Sequence, residues 1–488
     1  MCWFRVALMC ILKKIYYSCL LLVITANAAA QNIEVSLPAD KQLSAIPFDS
    51  SAKLVVRKII LKGNKKTRNY LILREIQFKP GDSIIIGTIN ETFQLARQQV
   101  YNTTLFHEVN VELAMISAYE MDVIVIVKER WYIFPLPEFK VIDRSFNEWL
   151  VTYNADLSRV NYGLKFEHKN FSGRRDPLRF FLISGYSQNI AFSYSQPYSD
   201  KALTQGFGIG GGFLQNRETA IKTSYDNKIQ FFKKDDFVRK NLYLNFSLRL
   251  QKGILFRHIL NLAFSKINVN DSVISSAYNP HYFNTSSPVA ALVDFSYTYQ
   301  YANVNNVAYP LKGKTGYVSL IKRGLGITGS TNLFAIDGAY NKFWAHKKNW
   351  FSALQFRANI KLPFDQPYIN QNAIGYGDAN LRGLELYVID GVAFGIIKST
   401  VKKKLISFTI PLSKNSRLLP TLPFSIFAKT YVDAGYSFNK RKFDTYLNNR
   451  LLYTAGFGID ILTLYDIRLR LEYSFNQLNR RQFFFESK

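Results

Sequence analysis

The feature that most constrains this chain is a strict two-residue alternation. In Leu242-Tyr243-Leu244-Asn245-Phe246-Ser247-Leu248-Arg249-Leu250, every even position is a large apolar residue. Near the end, Leu469, Leu471, Tyr473 and Phe475 alternate with Arg468, Arg470, Glu472 and Ser474. Period two puts successive side chains on opposite faces of a strand. Such strands carry one apolar and one polar, charged face. No run after residue 30 reaches the roughly 18 apolar residues that a membrane helix needs. Only helices and closed barrels satisfy every backbone polar group in lipid. A membrane-spanning chain of this kind is therefore a β-barrel, lipid outside and lumen inside. The aromatic content of 15%, with 30 Tyr and 39 Phe, suits interfacial girdles. A soluble sandwich would share the alternation but expose fewer aromatics.

Strand centres are expected near residues 135, 164, 181, 192, 209, 246, 260, 295, 318, 337, 355, 407, 429, 457, 471 and 483. That is about sixteen strands, an even number as in bacterial barrels. Residues 216–235 and 268–287 read as extracellular excursions, and 363–400 is the longest late gap. Gly206, Gly208, Gly210, Gly211 and Gly212 crowd one segment. Phe207 and Ile209 alternate with them, so the glycines ease a barrel bend and do not form a dinucleotide loop.

At the N-terminus, Lys13-Lys14, an apolar run Ile15–Ile24 and Ala26-Asn27-Ala28-Ala29-Ala30 form a signal-peptide pattern. Residues 1–30 are read as that signal and 31–52, with Pro38 and Pro47, as a flexible lead-in. Cys2, Cys10 and Cys19 are the only cysteines, so residues 31–488 offer no thiol catalysis, thiolate metal site or disulfide. The formal charge is +27, and Arg5, Lys13 and Lys14 leave +24 beyond residue 30. The bases are spread through alternating strands without a nucleic-acid-binding module, so lipid headgroups or acidic lumen partners are the expected counter-charge. His107, His168, His258, His281 and His346 show no ligand spacing. No metal, cofactor or catalytic set is expected.

Residues 53–130 read as a small β-α-α-β-β domain. Leu54–Leu61 is strand-like, and Thr67 is placed to cap a helix through Glu75. Thr88 opens a second helix through about Tyr101. Strands follow at Phe106–Leu113 and Met121–Glu129, the latter with both faces buried. Gly63-Asn64, Gly81-Asp82, and Phe106 with Val109 stand at turns and a strand start. With Ile60-Leu61-Lys62, Thr67, Arg74-Glu75-Ile76 and Val127-Lys128-Glu129, they resemble a POTRA domain. The resemblance implies binding of unfolded polypeptide by offering a sheet edge, which is β-augmentation in physical terms.

The likeness continues over residues 131–488. Asn161-Tyr162-Gly163, Asn170-Phe171-Ser172-Gly173-Arg174-Arg175-Asp176, Gln196-Pro197-Tyr198 and Pro310-Leu311-Lys312-Gly313 resemble hairpins and turns of the BamA/TamA superfamily. Leu381-Arg382-Gly383 is similar to its "(V/L)RG(F/Y)" loop. Tyr431-Val432-Asp433-Ala434-Gly435 is similar to the strand whose acid receives that arginine. The resemblance implies that Arg382, Gly383 and Asp433 latch a loop inside the lumen. Arg382 offers five donors in a planar fork and Asp433 a matching carboxylate. Three departures stand out. Leu384 replaces the usual aromatic, with Tyr387 nearby as a substitute. Ser407 replaces an acid often found one strand earlier. The chain ends Glu486-Ser487-Lys488, not on an aromatic.

The resemblance implies an outer-membrane protein with its POTRA domain in the periplasm and no enzymatic activity. Its expected work is assembly and insertion of β-barrel proteins. Its expected partners are outer-membrane lipids, unfolded client polypeptides and other assembly subunits, not nucleic acid. A two-partner-type secretion transporter, or an accessory barrel of a larger complex, is the alternative.

Overall fold

The computed structural model describes residues 51–142, 154–251, 253–325, 331–411, 421–440, 445–463 and 466–487. The expected signal peptide lies outside the described residues, as does all but the end of the lead-in.

The N-terminal α/β domain begins with β1 (Lys53–Lys62) and a helix at Asn69–Glu75. It continues through β2 (Ser83–Ile85), a helix at Ile89–Tyr101, β3 (Phe106–Met115) and β4 (Glu120–Glu129). The sheet order is β2-β1-β4-β3, with β1 and β4 parallel. Leu71, Ile72 and Ile76 from the first helix are buried, as are Phe93, Ala96 and Val100 from the second. The latter pack on Val56, Met121, Val123, Val125 and Val127. Each of these Val, Leu, Ile, Phe and Met side chains contributes about 1.5–3 kcal/mol when fully buried.

Two local expectations are corrected here. Thr67 caps no helix, because its hydroxyl is drawn away to Tyr132 and Asn170. Only one face of β4 is fully buried. Ile124 and Ile126, on the other face, are half-buried because the helices cover the opposite side. The short β2 was not expected; its three residues are too few to show a period.

Sixteen strands form the second sheet. They begin with β5 (Ile133–Val141), β6 (Val160–His168), β7 (Leu178–Gly185), β8 (Ser187–Gln196) and β9 (Gln205–Asn216). A separate hairpin, β10 (Glu218–Thr223) and β11 (Ile229–Lys233), interrupts the series. The sheet resumes with β12 (Arg239–Leu250), β13 (Phe256–Val269), β14 (Val289–Val304), β15 (Gly313–Arg323), β16 (Leu333–Ala345) and β17 (Trp350–Leu362). Two short strands, β18 (Asn372–Ile374) and β19 (Ile389–Asp390), pair within the loop that follows. The last five are β20 (Ala393–Pro411), β21 (Thr421–Phe438), β22 (Leu451–Leu462), β23 (Arg468–Asn476) and β24 (Arg481–Ser487).

All neighbours in this sheet are antiparallel, and every one of the sixteen expected centres falls inside one of its strands. The alternation sets the faces. Leu242, Leu244, Phe246, Leu248 and Leu250 are all exposed outward, and so are Phe457, Phe475, Phe483 and Phe485. Soluble proteins rarely leave so large an apolar band uncovered. Many inward positions are polar or charged, among them Arg249, Lys429, Asp433, Asp460 and Glu472. Phe394, Ile396 and Leu452 also face inward, where the returning loop covers them. No helix among the described residues is long and apolar enough to cross a membrane. The run between residues 363 and 392 folds back into the lumen. Its Ala373, Ile374, Leu381, Leu384, Tyr387 and Ile389 form a buried cluster with Phe394, Ile396, Leu447 and Leu452.

Candidate functional site

Arg382 sits at the tip of that inward loop, and Asp433 on β21 is wholly buried beneath it. Val432 and Ala434 flank Asp433, with Val432 60% exposed on the lipid side, so alternation alone aims the carboxylate inward. Asp433 Oδ2 accepts from the Arg382 main-chain nitrogen at 3.2 Å and from Nε at 2.8 Å. Oδ1 accepts from Arg382 Nη2, completing a forked, charge-assisted pair. Nη1 donates to Thr400 Oγ1 at 3.0 Å. The guanidinium carbon lies 3.9 Å above the centre of the Tyr431 ring. Charge, planarity and stacking are thus all used, which lysine could not reproduce.

Gly383 is fixed by two independent demands. Its φ is +85°, and a Cβ there would lie 2.7 Å from the Ser474 Cβ. Its carbonyl accepts from Asn476 Nδ2 at 2.7 Å, and its N–H donates to Glu385 Oε2 at 2.8 Å. Ser474 in turn bonds the Tyr431 hydroxyl at 2.6 Å. Leu384 and Tyr387 are both buried in the cluster that backs the loop. Ser407 lies further along β20, bonded to Ser425 at 2.9 Å, and takes no part.

A second acid does act on Arg382, but it comes from β23. Glu472 is buried and within electrostatic reach of the guanidinium. It belongs to a network that the sequence reading missed. Lys429 Nζ lies 2.7 Å from Glu472 and 2.5 Å from Asp460. Lys402 reaches Asp460 at 3.3 Å, and the Tyr309 hydroxyl donates to it at 2.7 Å. Lys429 stands two positions before Tyr431 and four before Asp433, so the inward alternation of β21 carried the signal. The pairing of Asp460 with Arg470 and of Gly458 with both Lys429 and Glu472 brings the charges together, and register is not readable from one strand.

The end of the barrel nearest the N-terminal domain is built to receive it. Arg74 donates to the carbonyls of Leu203 at 2.9 Å and Gly253 at 3.0 Å. Gln98 and Asn102 both donate to the Val304 carbonyl, at 2.7 and 2.8 Å. The Arg68 N–H donates to the Gly173 carbonyl at 3.0 Å. Asp466, in the turn between β22 and β23, accepts from Arg130 at 2.7 Å, Tyr101 at 3.1 Å and Asn306 at 3.0 Å. Burial first, and the Asp466 charge second, push the Tyr101 phenol up to about 12. Asn170 and Asp176 are fully buried. Asn170 bonds Thr67 at 3.0 Å, and Asp176 braces its own turn through the N–H groups of Ser172 and Arg174.

Comparison with known proteins bears on this architecture. Residues 54–130 match the family model described as POTRA, surface antigen variable number repeat. No curated protein sequence matches the chain. CdiB from Escherichia coli superposes with a TM-score of 0.50 at 10% identity, covering 94% of both chains. In fold, this is a POTRA domain followed by a sixteen-stranded barrel like that of CdiB. BamA from Haemophilus ducreyi lacking POTRA domains 1–3 is similar at TM-score 0.49 and 16% identity, over 89% of this chain and 84% of that one. CdiB from Acinetobacter baumannii gives 0.46 and 12%, over 89% and 73%.

The POTRA motif residues do not converge on one site. Gly63 has φ +95°, and a Cβ there would strike the Val127 carbonyl. Asn64 Nδ2 closes the turn onto the Thr67 carbonyl at 3.0 Å. Gly81, also at φ +95°, donates to the Val56 carbonyl at 2.7 Å, and Asp82 accepts from the Lys79 N–H at 2.7 Å. Phe106 and Val109 are core residues. All six shape the domain, and the edge strand β3 leaves Leu113 and Met115 exposed. Among the described residues, no group of three His, Cys, Asp or Glu side chains is placed to hold a metal ion.

Proposed function

We propose that this chain is an outer-membrane β-barrel assembly and insertion factor. Its POTRA domain captures unfolded client polypeptide in the periplasm, and an edge of its barrel templates insertion. The observation that carries this reading is the seam. Among the described residues, β5 and β24 stand at the two ends of the sixteen-stranded order, with no pairing between them. An unpaired edge offers N–H and C=O groups that pair with an extended strand without reading its sequence. Of the two edges β24 is the fuller, because Pro135 and Pro137 remove two donors from β5. The lumen is the harder route. The latched loop occupies it, the POTRA helices cover one end, and a cavity of about 620 Å³ remains between them. Passage through the lumen requires two displacements; use of the seam requires neither. In this reading Arg382, Gly383 and Asp433 hold the loop against the wall beside the strands that lead to the seam.

A two-partner-type secretion transporter is the second reading, favoured by the similarity in fold to CdiB. A cysteine pair introduced across the β5–β24 seam separates the two. The sequence has no cysteine after Cys19, so the engineered disulfide has no competitor. In cells depleted of the native protein, the oxidised variant should fail to restore the outer-membrane barrel profile, and reduction should rescue it. Normal insertion of all other barrels, with loss of one secreted protein, would overturn the assembly reading.

A further inference from the structure

The POTRA-facing rim holds a second charged cluster that the latch does not explain. Arg249 on β12 and Arg257 on β13 both occupy inward positions, flanked by outward Leu248, Leu250 and Phe256. The register pairs Arg249 with Ile259, which places Arg257 diagonally across from Arg249 on the same face. Long side chains at such positions reach one another. Arg175, from the turn that carries Asn170 and Asp176, closes the third side. The three line a cavity of about 430 Å³ together with Lys169, Arg179 and Glu167.

Five cations therefore face one carboxylate, and that one is engaged, with Arg179 Nε at 2.7 Å from Glu167. Arg175 comes only to 4.0 Å from Glu75, whose oxygen is shared with Arg74 and the Tyr198 hydroxyl, each at 3.3 Å. Among the described residues, Arg249 and Arg257 have neither a carboxylate at ion-pairing distance nor a hydrogen-bond acceptor. The charge of Arg175 acts against both, and Glu75 favours Arg257 only from beyond ion-pairing distance. Both side chains are half-buried, so lumen water solvates them only in part. Here two forks of about five N–H donors each are left unspent, pointing into one cavity.

We infer that Arg175, Arg249 and Arg257 form a binding site for a phosphate group. Guanidinium forks match oxyanions in shape as well as charge. Three forks arriving from a turn and two strands suit a tetrahedral dianion, which has an oxygen for each; a carboxylate has two oxygens and one charge. The cavity is larger than phosphate alone, so the group fits free or as the phosphomonoester of a lipid headgroup. Thr104 and Leu105 of the POTRA domain line the same cavity, so a bound anion would relieve repulsion in the rim on which that domain sits.

The test uses the full chain in phosphate-free detergent micelles. Inorganic phosphate is titrated by calorimetry in one arm, and short-chain phosphatidic acid, a phosphomonoester, in the other. Saturable binding is expected in at least one arm, and which arm identifies the source. Arg249→Gln with Arg257→Gln should weaken it at least about tenfold, the effect of losing roughly 1.4 kcal/mol. The Arg249→Lys, Arg257→Lys pair keeps charge but loses the forks and should fall in between. Heat-modifiable gel mobility reports folding; should the double glutamine variant not fold, Arg175→Gln in the turn is read in its place. Absence of saturation in both arms, or wild-type affinity in the glutamine variant, overturns the proposal. So does equal binding by the lysine pair, which would reduce the cluster to diffuse charge.

Discussion

Asp433→Asn is the sharpest probe of the latch. The change is isosteric, so the wall keeps its shape. Arg382 loses its counter-charge and one of two acceptor oxygens, while Thr400 and the Tyr431 ring stay in place. Removing one partner of a buried ion pair costs about 3–5 kcal/mol, because the remaining charge is left uncompensated. Asp433 is fully buried and Arg382 is 9% exposed, so little solvent screening softens that figure. The retained amide oxygen and the charge of nearby Glu472 point to the lower end, about 3 kcal/mol. At about 1.36 kcal/mol per tenfold, loop opening should rise by roughly 150-fold. Hydrogen exchange followed by mass spectrometry reads this at the amides of Arg382, Leu384 and Tyr387, which donate to Asp433, Leu381 and Leu384 respectively. Protection within about threefold of wild type would refute the reasoning. A cycle with Arg382→Gln adds a second check. The double variant should cost less than the sum of the singles, since the second change finds no partner left to strand. Strict additivity would mean that the pair does not hold the loop.

Three further outcomes are expected. Lys429→Met takes the nearest cation from Glu472, leaving Arg470 at 3.7 Å, while Asp460 keeps Lys402 and Tyr309. It should destabilise the barrel by about 1–3 kcal/mol, read as a lower temperature of heat-modifiable unfolding on gels; an unchanged temperature would show the network to be idle. Asn227→Ala removes bonds to Val388, Asn448 and Leu447, at about 1–3 kcal/mol for each group left unsatisfied, so the tip of the β10–β11 hairpin should become sensitive to limited proteolysis. The Tyr101 phenol is raised above its usual value near 10, so docking of the POTRA domain favours the neutral form. The docking it supports should be complete below pH about 10 and weaken as pH climbs towards about 12. Asp466→Asn should bring the titration back down, measured as the tyrosinate absorbance difference against Tyr101→Phe.

The barrel was legible because its signal is local. Each strand declares its lipid face through its own alternation, and Leu242–Leu250 does so without help from any neighbour. Arg382 and Asp433 were legible as a motif pair, and alternation past Val432 aims the acid inward. What stayed hidden depended on register or on contacts between distant segments. The Lys429–Asp460–Glu472 network exists only because three strands align at particular residues. Tyr309 reaches Asp460 from a turn about 150 residues earlier in the chain. Thr67 has the right chemistry for a helix cap, and a tertiary contact to Asn170 overrides that local preference. Ile124 and Ile126 look buried by composition, but burial depends on which side the helices pack, and composition does not record that.

The docked rim has an evolutionary consequence. Four of its acceptors, at Gly173, Leu203, Gly253 and Val304, are main-chain carbonyls. Every residue type has a carbonyl, proline included. The turns of the barrel can therefore drift in sequence without surrendering these bonds, provided their length and course persist. A substitution in such a turn should be silent for docking where a one-residue insertion is not. The POTRA domain reads the barrel's contour, and a barrel of different sequence with the same turn lengths could accept it as a graft.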